Sequence, residues 1–451
     1  MVSISEMNMV AKNRYFTELS ILSIMLLIPM LRYREPKTVT TFNPQQLVEL
    51  ARQYGTPLWV YDADVIRQRI AELRSFDVIR YAQKACSNVH ILKLMRDEGT
   101  MVDAVSLGEI TRSLAAGFTP DGDPEGVVFT ADLVDHATLA TVIEHRITVN
   151  AGSLDMLERV GQHAPEGHRV WLRINPGFGH GHSNKTNTGG EHSKHGIWLD
   201  DVPLAIAMVR RYGLKLVGLH MHIGSGVDYT HLSRVCDAMV EAVQGLGHDI
   251  EAISAGGGLS VPYSEGEPRI DVEHYFRLWD AARRQIEAHL GHRVRLEIEP
   301  GRFLVAQAGV LVAEVHALNR RPSRQFALVD AGFNDLVRPS FYGSHHEMSV
   351  VKGNGLPSEA LVGVFAVAGP LCEAGDVFTQ EAGGVVTSRA MQTPEVGDFI
   401  VFHDAGAYGA SMSSNYNSRP LAPEVLLENG TPRLIRRRQT IEELIALETL
   451  N

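Results

Sequence analysis

Six short segments of this 451-residue chain carry groups suited to covalent chemistry on a small molecule. Lys84 lies in Tyr81-Ala-Gln-Lys84-Ala-Cys86, and two imidazoles lie in His220-Met-His222-Ile-Gly-Ser225-Gly226. Ala255-Gly-Gly257-Gly258 and Glu299-Pro300-Gly301-Arg302 follow, then Gly369-Pro-Leu-Cys372-Glu373 and the long run Tyr408 to Asn417. Each has a bland alternative. A lone lysine is normally a solvated charge, a histidine is often a satisfied core residue, and three glycines make a turn more often than a phosphate cradle. Lys84 differs in having short apolar neighbours, where desolvation would expose a nucleophilic amine.

The elements that must position these groups alternate between strand and helix. β-branched runs near Asp77–Tyr81, Met101–Val105, Val127–Thr130, Ile147–Asn150, Arg169–Asn175, Lys215–His222, Ile250–Ala255 and Arg293–Glu299 alternate with segments of helical apolar spacing, among them Leu133–Glu144, Leu154–His163 and Val272–Leu290. Eight such units predict a closed (β/α)8 TIM-type barrel over 76–305. Beyond Phe303 the period breaks, and 306–451 reads as a C-terminal β-rich domain, an α/β plus β fold overall. Residues 41–75 read as an N-terminal segment joining that β domain, and 1–40 as an accessory extension. Its apolar run Leu19–Leu31 is too short to span a bilayer, and Met25 or Met30 would serve as a later start.

Barrel enzymes place their chemistry at the C-terminal ends of the strands. Lys84, Asp103, His222, Gly257, Gly258 and Glu299 all fall there. An amine nucleophile, backbone N–H groups for a phosphate, a carboxylate and an imidazole together are what pyridoxal 5'-phosphate requires. Lys84 would join the cofactor aldehyde, His222 stack on the ring, and Glu299 pair with the pyridine nitrogen.

With these motifs in this order, the chain from about Phe42 to Leu450 resembles the diaminopimelate decarboxylases, pyridoxal-phosphate enzymes of the alanine racemase-like barrel group. The resemblance implies decarboxylation of meso-2,6-diaminoheptanedioate to L-lysine and carbon dioxide. It also assigns cofactor contacts to Asp103, Ser225, Pro300, Gly301, Arg302 and Tyr408. Substrate contacts fall on Arg302, Arg338, Tyr342, Glu373 and Tyr408, and Cys372 becomes the proton donor. In this family Cys372 and Glu373 reach the partner's barrel, so a homodimer with shared sites is implied. One departure is Ala374, where a small hydroxyl residue is expected.

Composition excludes other classes. The net charge is -11 and the one basic run is Arg436-Arg437-Arg438, which argues against nucleic acid as a partner. Three scattered cysteines, Cys86, Cys236 and Cys372, suit a reducing, cytoplasmic setting and no disulfide framework. Gly177–Gly196 reads as a flap; its His180, His182, His192 and His195 lack regular ligand spacing, so no metal site is expected. The rival readings are an ornithine or arginine decarboxylase on the same fold, or a non-catalytic pyridoxal-phosphate carrier.

Overall fold

The computed structural model describes residues 42–179, 188–222, 224, 228–264, 266–356 and 361–448. The 1–40 extension, Ser225, His180 and His182 lie outside the described residues.

The β-branched runs become eight parallel strands: β2 (Val78–Ala82), β3 (Met101–Ala104), β4 (Val127–Ala131), β5 (Thr148–Ala151), β6 (Arg169–Asn175), β8 (Lys215–His220), β9 (Ala252–Ser254) and β10 (Arg295–Ile298). Each pairs with the next, β5 pairs with β6, and β10 pairs with β2, so the sheet closes into a barrel. A two-residue strand, β7 (Ile197–Trp198), lies beside the end of β6.

The helices between them are α3 (Val89–Asp97), α4 (Leu107–Ala115), α5 (His136–Glu144), α6 (Leu154–His163), α7 (Val202–Arg211), α8 (Tyr229–Gln244) and α9 (Val272–Leu290). Side-chain oxygens of Asn88, Ser106, Asp135, Ser153, Asp228 and Asp271 accept first-turn N–H groups, which fixes where six of them start. The eighth helix, α10 (Arg302–Val305), is a single turn.

Several expected boundaries shift by one or more residues, and two of the shifts show their cause. The sixth barrel strand ends at His220, not His222, because the glycine loop crowds it: a Cβ on Gly256 would lie 2.5 Å from the Met221 carbonyl oxygen. The helix expected from Leu133 begins at His136, because the Asp135 carboxylate accepts the Thr138 N–H at 2.8 Å and caps the first turn there.

The β-rich sheet is built around β11 (Gly309–Arg321), which pairs with β12 (Arg324–Val329), β18 (Phe399–Phe402) and β1 (Leu58–Asp62). It extends through β14 (Val362–Ala368) and β17 (Arg389–Gln392) on one side, and β19 (Glu424–Glu428) and β20 (Thr431–Arg436) on the other. β13 (Met348–Val351) pairs with β18, and β15 (Gln380–Glu381) with β16 (Val385–Val386). Thus β1, flanked by α1 (Pro44–Tyr54) and α2 (Ala63–Ala71), lies between β11 and β19, far along the chain. Both its faces are buried. Leu58 and Val60 enter a small cluster with Leu47 and Val312, while Trp59 and Tyr61 join the large core shared with the barrel. Two short helices, α11 (Arg338–Tyr342) and α12 (Ile441–Ile445), complete the domain.

Candidate active site at the barrel mouth

Lys84 sits in a one-turn 3-10 segment, Gln83–Ala85, directly after β2. Gln83 anchors that turn by donating to Ser113 Oγ at 2.7 Å. Lys84 itself is exposed, which corrects the expectation of a buried amine. Its alanine neighbours are buried beneath it, and the long side chain reaches out into the mouth.

Glu299 follows β10 and is gripped from two sides. His220 Nε2 lies 2.7 Å from Oε2, and the Ser254 hydroxyl donates to Oε1 at 2.9 Å. Burial alone would raise its pKa, but His220, Arg80 and the Ser254 hydroxyl outweigh burial and hold the carboxyl below the ordinary range. Asp103, on β3, is the opposite case. Burial and the nearby Glu299 charge push it up, and its Oδ1 is buried without a hydrogen-bond partner.

His222 Nδ1 accepts the Gly257 N–H at 3.2 Å. Burial, then the Arg173 and Lys84 charges, hold the imidazole well below its usual pKa, so it is neutral. The glycines are sterically required. A Cβ on Gly257 would lie 2.5 Å from the Glu299 carbonyl oxygen, and one on Gly258 2.4 Å from that of Gly224. Pro300 offers its carbonyl oxygen to the Ala82 N–H at 3.1 Å, which ties β10 to β2. The Arg302 guanidinium carbon lies 5.0 Å from the Tyr408 ring centre.

Lys84, Asp103, His222, Gly257, Gly258, Glu299, Gly301, Arg302 and Tyr408 line one solvent-open cleft with about 520 Å³ of empty space. Thr130, Arg173 and His220 line it too; sequence reasoning missed the first two and gave His220 no role. The available signals were Arg173 inside an apolar strand run and His220 one turn of the strand period before His222. Arg338 is buried and Tyr342 half-buried on α11, neither in the cleft lining. Cys372 and Glu373 are exposed and lie outside it. Their loop is fixed by Asp376, whose carboxylate accepts the N–H groups of Phe333 and Leu371 at 2.7 and 2.8 Å, so the exposed Ala374 is not what shapes it. Among the described residues no cluster suited to a metal ion is present.

A cradle that any Cβ would fill, orphaned polar atoms on Asp103 and His220, and an amine and an ionised carboxylate lining the same cleft fit pyridoxal phosphate. The family model for the pyridoxal-dependent decarboxylases, pyridoxal binding domain, matches residues 63–306. A diaminopimelate decarboxylase of Escherichia coli (strain K12) is 62% identical over 414 residues, covering 92% of this chain and 98% of that one. The chain belongs to the diaminopimelate decarboxylase family. The enzyme is therefore a pyridoxal-phosphate-dependent decarboxylase. A crystal structure of a diaminopimelate decarboxylase superposes with a TM-score of 0.88 at 62% identity, covering 92% of this chain and 98% of the other. The Helicobacter pylori diaminopimelate decarboxylase, solved in complex with L-lysine, has a TM-score of 0.78 at 31% identity, with 89% and 98% covered.

Proposed function

We propose that this enzyme removes one carboxylate from meso-2,6-diaminoheptanedioate, releasing carbon dioxide and L-lysine, with Lys84 as the covalent anchor of the cofactor. The observation that carries this reading is the convergence of Lys84, His222, Glu299, Gly257 and Gly258 on one cleft at the C-terminal mouth of the barrel. When bound, pyridoxal phosphate supplies the electron sink for the pair left on carbon as carbon dioxide departs.

The chain supplies the rest. His222, held neutral, offers a flat face to the cofactor ring, and Glu299 offers its anion to the ring nitrogen. Gly257, Gly258, Gly301 and Ser225 let backbone and hydroxyl donors approach the phosphate, with Tyr408 beside it. Asp103 and Pro300 complete the wall. Arg302, Arg338 and Tyr342 hold the carboxylate that the substrate keeps, a task suited to planar guanidinium forks. Cys372 delivers the proton to carbon, and Glu373 receives the distal ammonium.

Cys372 and Glu373 are exposed on their own chain, and we assign them to the cleft of a second copy in a homodimer with shared sites. Among the described residues no helix is long and apolar enough to cross a membrane. We assign the enzyme to the reducing cytoplasm on its free cysteines. The ornithine, arginine and carrier readings have no observation in their favour.

The test is carboxyl-labelled meso-2,6-diaminoheptanedioate incubated with cofactor-loaded protein. Labelled carbon dioxide and L-lysine should appear, borohydride reduction should fix the cofactor to Lys84, and Lys84→Ala should abolish both. Turnover that survives in that variant, or a label on another lysine, would refute the assignment.

A further inference from the structure

Two guanidiniums converge on one phenol beside the cleft. Arg302 Nη1 donates to the Tyr263 hydroxyl oxygen at 2.6 Å. The Arg338 guanidinium carbon lies 4.7 Å from the centre of the same ring, and its Nη1 is 3.0 Å from His346 Nε2. Tyr263 and His346 pack edge to face, with ring centres 5.4 Å apart. The His346 tautomer is set from behind. Its Nδ1 is 2.9 Å from the His403 carbonyl oxygen, which can only accept, so Nδ1 carries the proton and Nε2 is free to accept from Arg338.

Neither arginine forms an ion pair with a carboxylate among the described residues. Burial depresses the Arg338 guanidinium, and the neighbouring Arg302 charge adds to this. Tyr263, which meets both cations, and His346, which meets Arg338, are neutral acceptors. A carboxylate in either place would cancel the charge and compete with an incoming anion, whereas a phenol and an uncharged imidazole hold the forks and leave their charge unspent.

We propose that Tyr263 and His346 are positioning residues that hold Arg302 and Arg338 as one two-armed receptor for the carboxylate the substrate retains. This rests on the reading of Arg302 and Arg338 given above and adds the pair that aligns them. It also makes the receptor the element that discriminates against amines lacking a second carboxylate.

The test uses cofactor-loaded Tyr263→Phe, His346→Ala, His346→Gln and Arg338→Ala. Each is assayed with meso-2,6-diaminoheptanedioate, and for inhibition by heptanedioate, which has no amine, and by 1,5-diaminopentane, which has no carboxylate. Tyr263→Phe, which removes a single oxygen, and His346→Ala should each raise KM and weaken heptanedioate inhibition by roughly tenfold or more. kcat should fall less, diaminopentane inhibition should hold, and His346→Gln should recover part of the loss. Equal weakening of both inhibitors, or a fall in kcat alone, would reduce Tyr263 and His346 to structural residues and overturn the inference. Unchanged heptanedioate inhibition in Arg338→Ala would instead overturn the underlying assignment of the carboxylate site.

Discussion

Two carboxyl groups in the same cleft are driven apart by their partners. Glu299 has two donors and stays ionised, whereas Asp103 has a buried oxygen with none and is pushed toward its neutral form. Another such case lies outside the cleft, at Asp404, which burial and the Glu347 charge push up to about 7 from an ordinary value of 3.8. In the unfolded chain Asp404 ionises near its ordinary value, while the folded form keeps its proton longer. Its contribution to stability is therefore complete below that value and is lost as pH rises through about 7. Asp404→Asn should gain stability over the parent across this interval by up to about 1.4 kcal/mol per pH unit, measured by urea unfolding at stepped pH. A pH-independent difference would mean that the carboxyl is ordinary. Asn also tolerates the left-handed backbone there, φ 53°. The sequence carried the identity of Lys84 but not its exposure, because neighbours in the chain do not determine what lies over a side chain in space. His220 was hidden for a similar reason. The motif drew attention to His222, and only the approach of β10 to β8 through β9 shows that the earlier imidazole grips Glu299.

The strands and helices were legible wherever a local signal sets them. Caps such as Ser153 and Asp271 place helix starts at the residue, and the expected spans Leu154–His163 and Val272–Leu290 match α6 and α9. Boundaries moved where a distant group decides them, as at Gly256, and where a cap lies further along than the apolar spacing suggests, as at Asp135. Nothing local announced the floor of the barrel. There Arg80 donates to Glu297 at 2.8 Å, Glu297 also accepts from Arg295 at 3.0 Å, and Arg169 links Glu125 to Glu251. Arg80 is 1% exposed, so removing it empties a buried site and leaves the buried Glu297 carboxylate with Arg295 as its one remaining guanidinium partner. Arg80→Ala should cost about 3–5 kcal/mol of unfolding free energy, read from urea denaturation. A loss under about 1 kcal/mol would put this pair in the class of surface ion pairs.

For the molecule as a whole, the cleft described here lacks Cys372 and Glu373, which its own chain presents to solvent. If two copies exchange these groups, Lys84→Ala and Cys372→Ala proteins, each inactive alone, should recover about a quarter of parental activity when unfolded and refolded together in equal amounts, because random pairing leaves one intact site in each mixed dimer. Absence of recovery would confine each site to one chain. The barrel and its active end were readable from the β/α period and the six motifs. The path of the sheet was not, since pairing of β1 with strands near the other terminus depends on contacts no local pattern encodes. That pairing has a consequence for synthesis on the ribosome. β1 emerges early, apolar on both faces, and cannot be sheltered by its own sheet until β11 and then β19 have been translated. Throughout that interval it is an adhesive ribbon, and a nascent chain stalled before residue 424 is the species on which chaperones of the cell have most to do.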